Sequence, residues 1–302
     1  SWTPKGDFIY GGVNNGLLGR DAGLNGDGNI FCVGQQNTTG FYVYEWSGTS
    51  WGLKGNTLSK QYWGCDINYS GNRFVAAERN DDIVNVWEFN DTTNTWDDIT
   101  SNLNNLSAIS SSGKNASVTI NKSSDSSIDG TVISTCQDNY TKVFYYDGST
   151  WSQRGSRINT SYSTGNDVKQ HSLNHDGTLV AIGCSESNNR VEVYEWNGAS
   201  WGKKGQTITS ADITNNSLNI VDTNRFGISV SLSSNGSYLA VSGVGVFEYN
   251  GSAWVQVSNT FGSEMTQNNS NEDKIQISGD GSTIVIGLEQ QAQTAVYTYE
   301  NI

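Results

Sequence analysis

Short runs of alternating apolar and polar residues recur along the whole chain. Residues 191–196 are typical, because Val191 and Val193 are separated by Glu192 and followed by aromatic residues. A period of two predicts half-buried β-strands, whereas amphipathic helices repeat about every 3.6 residues. The runs are separated by segments rich in Gly, Asn, Asp and Ser, which favour tight turns. The pattern therefore predicts an all-β chain of short strands.

Two signatures alternate along the chain. In the first, an Asp-Gly, Asn-Gly or Ser-Gly pair lies between two apolar runs, as in LNHDGTLVAIG at 173–183, and this signature occurs six times. In the second, an aromatic run is followed by a Gly-containing turn and a Trp, as in VEVYEWNGASW at 191–201. A Gly that accepts positive φ between two alternating runs predicts a β-hairpin. One repeat therefore contains two hairpins, whose four strands are named A, B, C and D in chain order.

Periodic Trp residues give the length of the repeat. They are spaced by 45, 55, 50 and 53 residues: Trp51, Trp96, Trp151, Trp201 and Trp254. Four short strands in about 50 residues are typical of one blade of a β-propeller. Six turns of the first kind predict six four-stranded antiparallel blades in a single domain, 1–302. The predicted blades cover residues 16–59, 60–103, 104–159, 160–209, 210–261, and 262–302 plus 1–10.

The two ends of the chain read as two parts of one blade. Residues 295–302 (AVYTYENI) match a C strand that stops in its turn, and residues 1–10 (SWTPKGDFIY) match a D strand without its partner. We therefore expect the N-terminal strand, with Trp2 as the sixth periodic Trp, to complete the last blade and close the ring. Residues 104–129 fit the repeat least well, and 121–129 read as an inserted loop.

The repeat also resembles a known group of proteins. The pattern VxVYEWNGxSW followed by Lys-Gly, with SLxxDGxxLAIG upstream, resembles repeats of secreted β-propeller proteins of marine bacteria and algae. It is more distantly similar to FG-GAP and kelch repeats, and the resemblance covers nearly the whole chain. It implies the propeller fold and an extracellular location. It implies no particular activity, because propellers occur as enzymes, lectins and scaffolds.

Composition and charge exclude several functional classes. The net charge is −13, and such an acidic surface repels phosphate backbones, so no nucleic-acid partner is expected. No apolar run approaches the roughly 18 residues of a membrane-spanning helix. Asn25, Asp27 and Asn29 are spaced like part of a calcium loop but lack its bidentate acid, so a hairpin turn is the favoured interpretation. We predict no cofactor, no metal and no membrane span.

Trp63 is the candidate ligand-binding residue, because it opens the A strand of blade two and has no counterpart in the other repeats. The periodic Trp residues are instead expected to fix the C–D hairpins as core residues. A basic residue follows three positions after Trp in four repeats: Lys5, Lys54, Arg154 and Lys204. Pairing with Glu45 or Glu195 across the sheet is the favoured interpretation. His171 aligns with core positions and is predicted to be structural.

The four cysteines allow three pairings. Cys32 and Cys65 fall in neighbouring blades, as do Cys136 and Cys184, so two disulfides between blades are one interpretation. Four free buried thiols are the other. No CxxC redox motif is present in either case.

N-glycosylation sequons are abundant and favour a secreted eukaryotic glycoprotein. The candidate sites are Asn37, Asn68, Asn90, Asn105, Asn115, Asn121, Asn139, Asn159, Asn215, Asn235, Asn250 and Asn268.

No set of residues in the sequence predicts catalysis. We therefore predict a non-enzymatic extracellular glycoprotein that builds a surface coat, matrix or fibre, with other copies of itself or other extracellular proteins as partners. A carbohydrate-binding, lectin-like propeller is the alternative, because aromatic faces and Asn, Asp and Ser side chains suit sugars. A glycan-processing hydrolase is the third candidate. Its paired acids would have to come from loop residues, namely Asp81, Asp82, Glu264, Glu272 and Asp273.

Overall fold

The fold is a six-bladed β-propeller, as the sequence predicts, in which six antiparallel sheets follow one another along the chain. The computed structural model describes residues 4–10, 18–35, 40–78, 83–100, 117–137, 140–159, 168–184, 190–213, 226–242, 244–258, 274–288 and 293–298. Helix is almost absent from these residues, which contain one short 3-10 helix at Ser210–Asp212.

The first two sheets each have four strands in chain order. The first contains Leu18–Leu24 (β1), Ile30–Gln35 (β2), Phe41–Trp46 (β3) and Trp51–Leu53 (β4). The second contains Tyr62–Ile67 (β5), Arg73–Glu78 (β6), Val84–Asn90 (β7) and Thr95–Asp98 (β8).

The third sheet has an additional short strand. It contains Val118–Ile120 (β9), Val132–Gln137 (β10), Tyr140–Tyr146 (β11), Trp151–Gln153 (β12) and Ile158–Asn159 (β13). Strand β12 pairs with the end of β11, and β13 pairs with its beginning. The fourth contains Val168–Leu173 (β14), Leu179–Cys184 (β15), Arg190–Trp196 (β16) and Trp201–Lys203 (β17).

The last two sheets complete the six. The fifth contains Val230–Leu232 (β18), Tyr238–Val241 (β19), Gly245–Tyr249 (β20) and Trp254–Gln256 (β21). The sixth contains Lys274–Ile277 (β22), Thr283–Leu288 (β23) and Gln293–Thr298 (β24). The N-terminal strand predicted to complete this blade begins in residues 1–3, which lie outside the described residues, and residues 4–10 contain no strand.

The B strands are inner strands of their sheets, and those of blades two and four are buried along their whole length. Every residue of β6 and of β15 is buried, so the alternation of apolar and polar residues is lost there. Strands that are covered on both faces read as nearly continuous apolar runs, such as Leu179–Ile182 (LVAI).

The chain divides into two compact units. The first contains Ser1–Gln137 and Phe144–Gln153, and the second contains Asp138–Val143 and Arg154–Ile302. Within the first unit, β1 contacts β5 and β5 contacts β9, so the A strand of each blade lies beside the A strand of the next. The second unit repeats this arrangement with β14, β18 and β22.

Neighbouring blades within a unit share a hydrophobic core. In the first unit, Cys32 and Phe41 of blade one pack in one cluster with Ile67, Phe74 and Trp96 of blade two. In the second unit, a single cluster likewise contains residues of blades four and five. Burial of these side chains between sheets stabilises the stacking of successive blades.

Candidate functional site

An Asn or Ser side chain closes each of the six A–B turns. This residue directly follows strand A, and its side-chain oxygen accepts the first backbone N–H of strand B at 2.8–3.0 Å. The six anchors are Asn25, Asn68, Asn121, Asn174, Ser233 and Ser278. The glycine that follows in each turn has a positive φ of 66–80°. The anchors therefore hold the hairpins that the Asp-Gly signature predicts.

Two of these anchors, Asn68 and Asn121, are glycosylation candidates that lie in the interior. Asn68 and Asn121 are 1% and 0% exposed. The Nδ2 atom of Asn68 donates to Asp129, Ser70 and Asn72, and that of Asn121 donates to the Ile128 carbonyl. A glycan is attached through this nitrogen and requires solvent around it, so these two sequons are structural in the folded chain.

The remaining described sequons lie at or near the surface. Asn159, Asn235 and Asn250 are exposed. Asn90 is half-buried, and its Nδ2 donates to Asp97 at 2.9 Å. The other candidates lie outside the described residues: Asn37, Asn105, Asn115, Asn139, Asn215 and Asn268.

The periodic Trp residues and the Lys-Gly pairs meet between blades. The Nε1 atom of Trp96 donates to the Lys54 carbonyl of the preceding blade at 2.9 Å. Gly55 lies against the Trp96 ring with φ +73°, so closely that a Cβ atom there would be 2.9 Å from Cδ1. We call this arrangement of indole, carbonyl and glycine the Trp–Lys-Gly clasp.

Among the described residues, the Trp–Lys-Gly clasp occurs four times. The indole donates to the carbonyl in the pairs Trp51–Lys5, Trp96–Lys54, Trp201–Arg154 and Trp254–Lys204, at 2.6–2.9 Å. The following glycines Gly6, Gly55, Gly155 and Gly205 all have φ between 72° and 78°. The clasp explains why Trp and Lys-Gly recur, and it places the N-terminal Lys5 and Gly6 where the end of a D strand stands in the other blades.

The basic side chains of the clasps also contact the next blade. Lys54 and Lys204 form ion pairs with Glu45 and Glu195 at 3.2 and 2.9 Å, as the sequence predicts. Each also lies over an aromatic ring of the next blade, at 4.2 and 4.7 Å from the ring centroid. Lys5 and Arg154 also lie over Trp rings of the next blade, and in place of the ion pair they donate to glycine carbonyls of the next A–B turn, at Gly28 and Gly177.

One blade departs from this arrangement. Strand β8 of blade two ends in Asp97-Asp98, without a Lys-Gly pair. The following Trp151 is fully buried, and its Nε1 has no hydrogen-bond partner among the residues the structure describes.

Trp63 lies at a β-bulge. In the pairing of β5 with β6, Tyr62 stands opposite Glu78 and Gly64 opposite Ala77, so Trp63 is the extra residue. A bulge at the same place in β14 leaves Lys169 as the extra residue, so the position of Trp63 recurs in blade four without an aromatic side chain. The side chain of Trp63 lies outside the described residues.

Burial and hydrogen bonds within the protein account for the two histidines and for the calcium-like turn of blade one. His171 is buried in β14, as predicted, and His175 contacts the Ser234 carbonyl through Nδ1 at 2.5 Å. In the turn of blade one, the side-chain oxygens of Asn25 and Asp27 accept backbone N–H groups, and that of Asn29 accepts the Lys5 ammonium. These contacts support the hairpin interpretation of that turn.

Polar side chains of the A strands connect successive blades. In the first unit, Asp21 accepts the backbone N–H of Cys65 at 3.1 Å, and Asp66 accepts that of Ile120 at 3.2 Å. In the second unit, Ser172 and Ser231 accept the backbone N–H groups of the next A strands. The acids of the first unit therefore take the same bridging role as the serines of the second.

Lys122 is held by one of these acids. Its Nζ lies 2.7 Å from Asp66 Oδ1 and donates to the Leu24 carbonyl at 3.1 Å. Desolvation lowers the pKa of Lys122, but the Asp66 carboxylate, with smaller contributions from Cys32 and Cys65, raises it, and the pKa lies above its usual range. The ammonium is a fixed counterion rather than a proton donor.

Apolar side chains are exposed at two kinds of outer position. Phe8 and Tyr10 are 80% and 82% exposed, with ring centroids 6.4 Å apart. Leu53 and Val255 are exposed on β4 and β21, the short strands that end their sheets. An edge strand leaves backbone groups open to pairing, and apolar side chains on it favour contact with another surface.

The acids considered for hydrolysis, Asp81, Asp82, Glu264, Glu272 and Asp273, lie outside the described residues. Within the described part of the chain, no group of three or more His, Cys, Asp or Glu residues is arranged to hold a metal ion. Nor does any helix there have the length and apolar character to cross a membrane.

Comparison with known proteins identifies the fold alone. No family model and no curated protein matches the chain. Solved structures match in 1208 chains, so the fold is widespread. One is the crystal structure of a functionally unknown protein from Desulfotomaculum acetoxidans DSM 771, with 13% identity and a TM-score of 0.63. The match covers 92% of this chain and 81% of that one. At this identity the similarity carries no function.

Proposed function

We propose that this protein is a non-enzymatic extracellular glycoprotein that serves as a building block of a surface coat, matrix or fibre. The observation that carries the proposal is the use of the repeated residues. The periodic Trp, Lys and Gly residues join blades to one another, and the repeated Asn and Ser residues close turns. The repeated residues therefore stabilise the propeller itself. We infer that residues outside the repeated positions bind the partners.

The most exposed of these features is the aromatic pair Phe8 and Tyr10. Two large rings at about four-fifths exposure cost free energy in water and gain it on burial against a partner. The partner is another copy of this chain or another extracellular protein. The edge strands β4 and β21, with Leu53 and Val255, offer further apolar contacts.

Self-assembly tests this proposal. The purified full chain at near-physiological salt should form oligomers or fibres as its concentration rises, measured by light scattering after size-exclusion chromatography and by negative-stain electron microscopy. The double variant Phe8→Ser/Tyr10→Ser should remove or strongly weaken assembly. Tyr69→Ser is the matched control, because Tyr69 is an exposed aromatic residue in an A–B turn. A wild-type chain that stays monomeric at every concentration, with no binding to extracellular proteins, contradicts the proposal.

Carbohydrate binding is the second candidate. Trp46 and Trp196 are half-buried on C–D hairpins, with ring centroids 5.2 and 5.5 Å from Trp51 and Trp201. Such paired rings offer faces for sugar stacking. A glycan array read with wild type, Trp196→Ala and Trp63→Ala separates this candidate from the first. Turnover of a bound glycan would instead favour the third candidate, a hydrolase.

A further inference from the structure

Two of the four cysteines lie against each other in the first unit. Cys32 is in β2 of blade one and Cys65 is in β5 of blade two, and both are buried in the same hydrophobic cluster. The Cys65 Sγ atom lies 4.0 Å from the Cys32 carbonyl oxygen. All four cysteines carry thiols in this structure.

Gly23 brings the two strands together. It stands opposite Cys32 in the β1–β2 pairing. A Cβ atom on Gly23 would be 2.8 Å from the Asp66 Cα and 3.0 Å from the Cys32 Sγ. The missing side chain thus lets the backbone next to Cys65 approach the Cys32 sulfur. Because 33 residues separate the two cysteines, the fold rather than local sequence creates this contact.

The environment of the pair favours a bond that forms during folding. A hydrogen bond to the Cys32 thiol and burial both raise the pKa of the Cys65 thiol well above its usual range. A buried neutral thiol attacks disulfides slowly, since the thiolate is the nucleophile. Exchange is therefore fastest before the two blades close over the pair.

We propose that Cys32 and Cys65 form a disulfide between blades one and two when the chain folds in the presence of a small disulfide oxidant such as oxidised glutathione. One cysteine thiolate attacks the oxidant, forms a mixed disulfide and releases one glutathione. The second thiolate then displaces the other glutathione and closes the protein disulfide. Two protein thiols lose two protons and two electrons, and one glutathione disulfide becomes two thiols. The proposal goes beyond the proposed function, because it holds for the purified chain whatever its partners.

Peptide mapping tests the pairing in the wild-type chain. The unfolded full chain is refolded with oxidised and reduced glutathione, alkylated in denaturant and digested without reductant for mass spectrometry. We expect a linked peptide pair containing Cys32 and Cys65 that disappears on reduction. The oxidised protein should melt about 5 °C above the reduced protein, because the bond closes a long loop.

Two variants complete the test. Cys65→Ser should remove both the linked peptide and the shift in Tm, whereas Cys136→Ser, the matched loss of a buried thiol, should retain both. Recovery of Cys32 and Cys65 as alkylated thiols from correctly folded, oxidised wild-type protein overturns the proposal. So does a link between either of them and another cysteine. Neither result bears on assembly, so failure here is distinct from failure of the proposed function.

Discussion

At the residue scale, short polar side chains stabilise the turns by accepting hydrogen bonds from backbone N–H groups. Asp147 is an exposed example in the C–D turn of blade three, where its Oδ1 accepts the backbone N–H groups of Ser149 and Thr150 at 2.8 Å. These hydrogen bonds from Thr150 and Ser149 lower the pKa of Asp147 from 3.8 to about 2. Asp280 has a similarly lowered pKa of about 2 in the A–B turn of blade six.

This pKa predicts an acid-sensitive turn. Because the folded pKa lies below the unfolded value, the charged turn stabilises the native state above about pH 4. The contribution is lost as the pH falls from there towards 2. Asp147→Asn should therefore match wild type in Tm at pH 7 and lose less Tm between pH 4 and pH 2. Asn occupies the equivalent positions 197 and 250, so the variant keeps the turn. Equal slopes of Tm against pH would contradict the prediction.

The sequence alone does not distinguish a turn-forming Asn from a glycan-bearing one. Asn68 and Asn121 match the sequon as well as Asn235 does. What separates them is burial, since the carboxylate of Asp129 reaches Asn68 from 61 residues away in the chain. A three-residue motif contains no information about that contact.

At the scale of the element, the strands and hairpins follow directly from the sequence. The alternating runs and Asp-Gly turns predict all six sheets, because both signals are local. The Trp–Lys-Gly clasp is less accessible to such reasoning. The recurrence of Trp and Lys is visible, but the indole donor and its acceptor are 42–50 residues apart.

The inserted loop of blade three shows the same limit. Its place at 121–129 is predicted because it interrupts the repeat. The sequence does not predict the role of this loop. Asp129 accepts the backbone N–H groups of Tyr69 and Ser70 in the neighbouring blade. The loop therefore ties two A–B turns together, and only the packed structure brings these atoms within reach.

Alanine substitutions at three glycines of blade one separate the cost of a positive φ from the cost of close packing against Trp96. Gly55→Ala should destabilise the protein by about 2–4 kcal/mol, because φ +73° disfavours a side chain and the new Cβ meets the buried Trp96 ring. Gly48→Ala, with φ +99° and open space around it, should cost about 1–2 kcal/mol. Gly52→Ala has neither problem and should stay within about 0.5 kcal/mol of wild type.

Urea denaturation of the four proteins measures this series. The ranking Gly55, Gly48, Gly52, from most to least destabilising, is the expected outcome. If Gly55→Ala were as mild as Gly48→Ala, the close packing against Trp96 would add nothing to the free-energy cost of the substitution.

At the scale of the whole molecule, the sequence predicts the architecture far better than the binding surface. Six repeats describe the propeller, and the residues that repeat are used inside it. The exposed rings of Phe8 and Tyr10 lie outside the repeated Trp and Lys-Gly positions, and nothing in the sequence marks them as exposed. A local sequence pattern predicts secondary structure, but the exposure of a side chain depends on whether other segments pack against it in the folded chain.

Glycan occupancy should follow the surface of the folded molecule. When the chain is secreted from eukaryotic cells, Asn159, Asn235 and Asn250 should carry glycans, because their side chains are exposed. Asn68 and Asn121 should be unmodified in correctly folded protein, because they are buried. Enzymatic deglycosylation in heavy-oxygen water followed by peptide mass spectrometry measures each site separately. Occupied Asn68 or Asn121 in folded protein would show that these turns tolerate an open conformation.

The Trp–Lys-Gly clasps also bear on the timing of folding. Each one joins a carbonyl to an indole between 42 and 50 residues later in the chain, about the length of one blade. Wherever a clasp is present, which excludes the joint between blades two and three, a growing polypeptide can therefore attach a blade to the preceding segment once the next C–D hairpin has left the ribosome. We expect assembly to proceed blade by blade from the N-terminus, at the pace of translation.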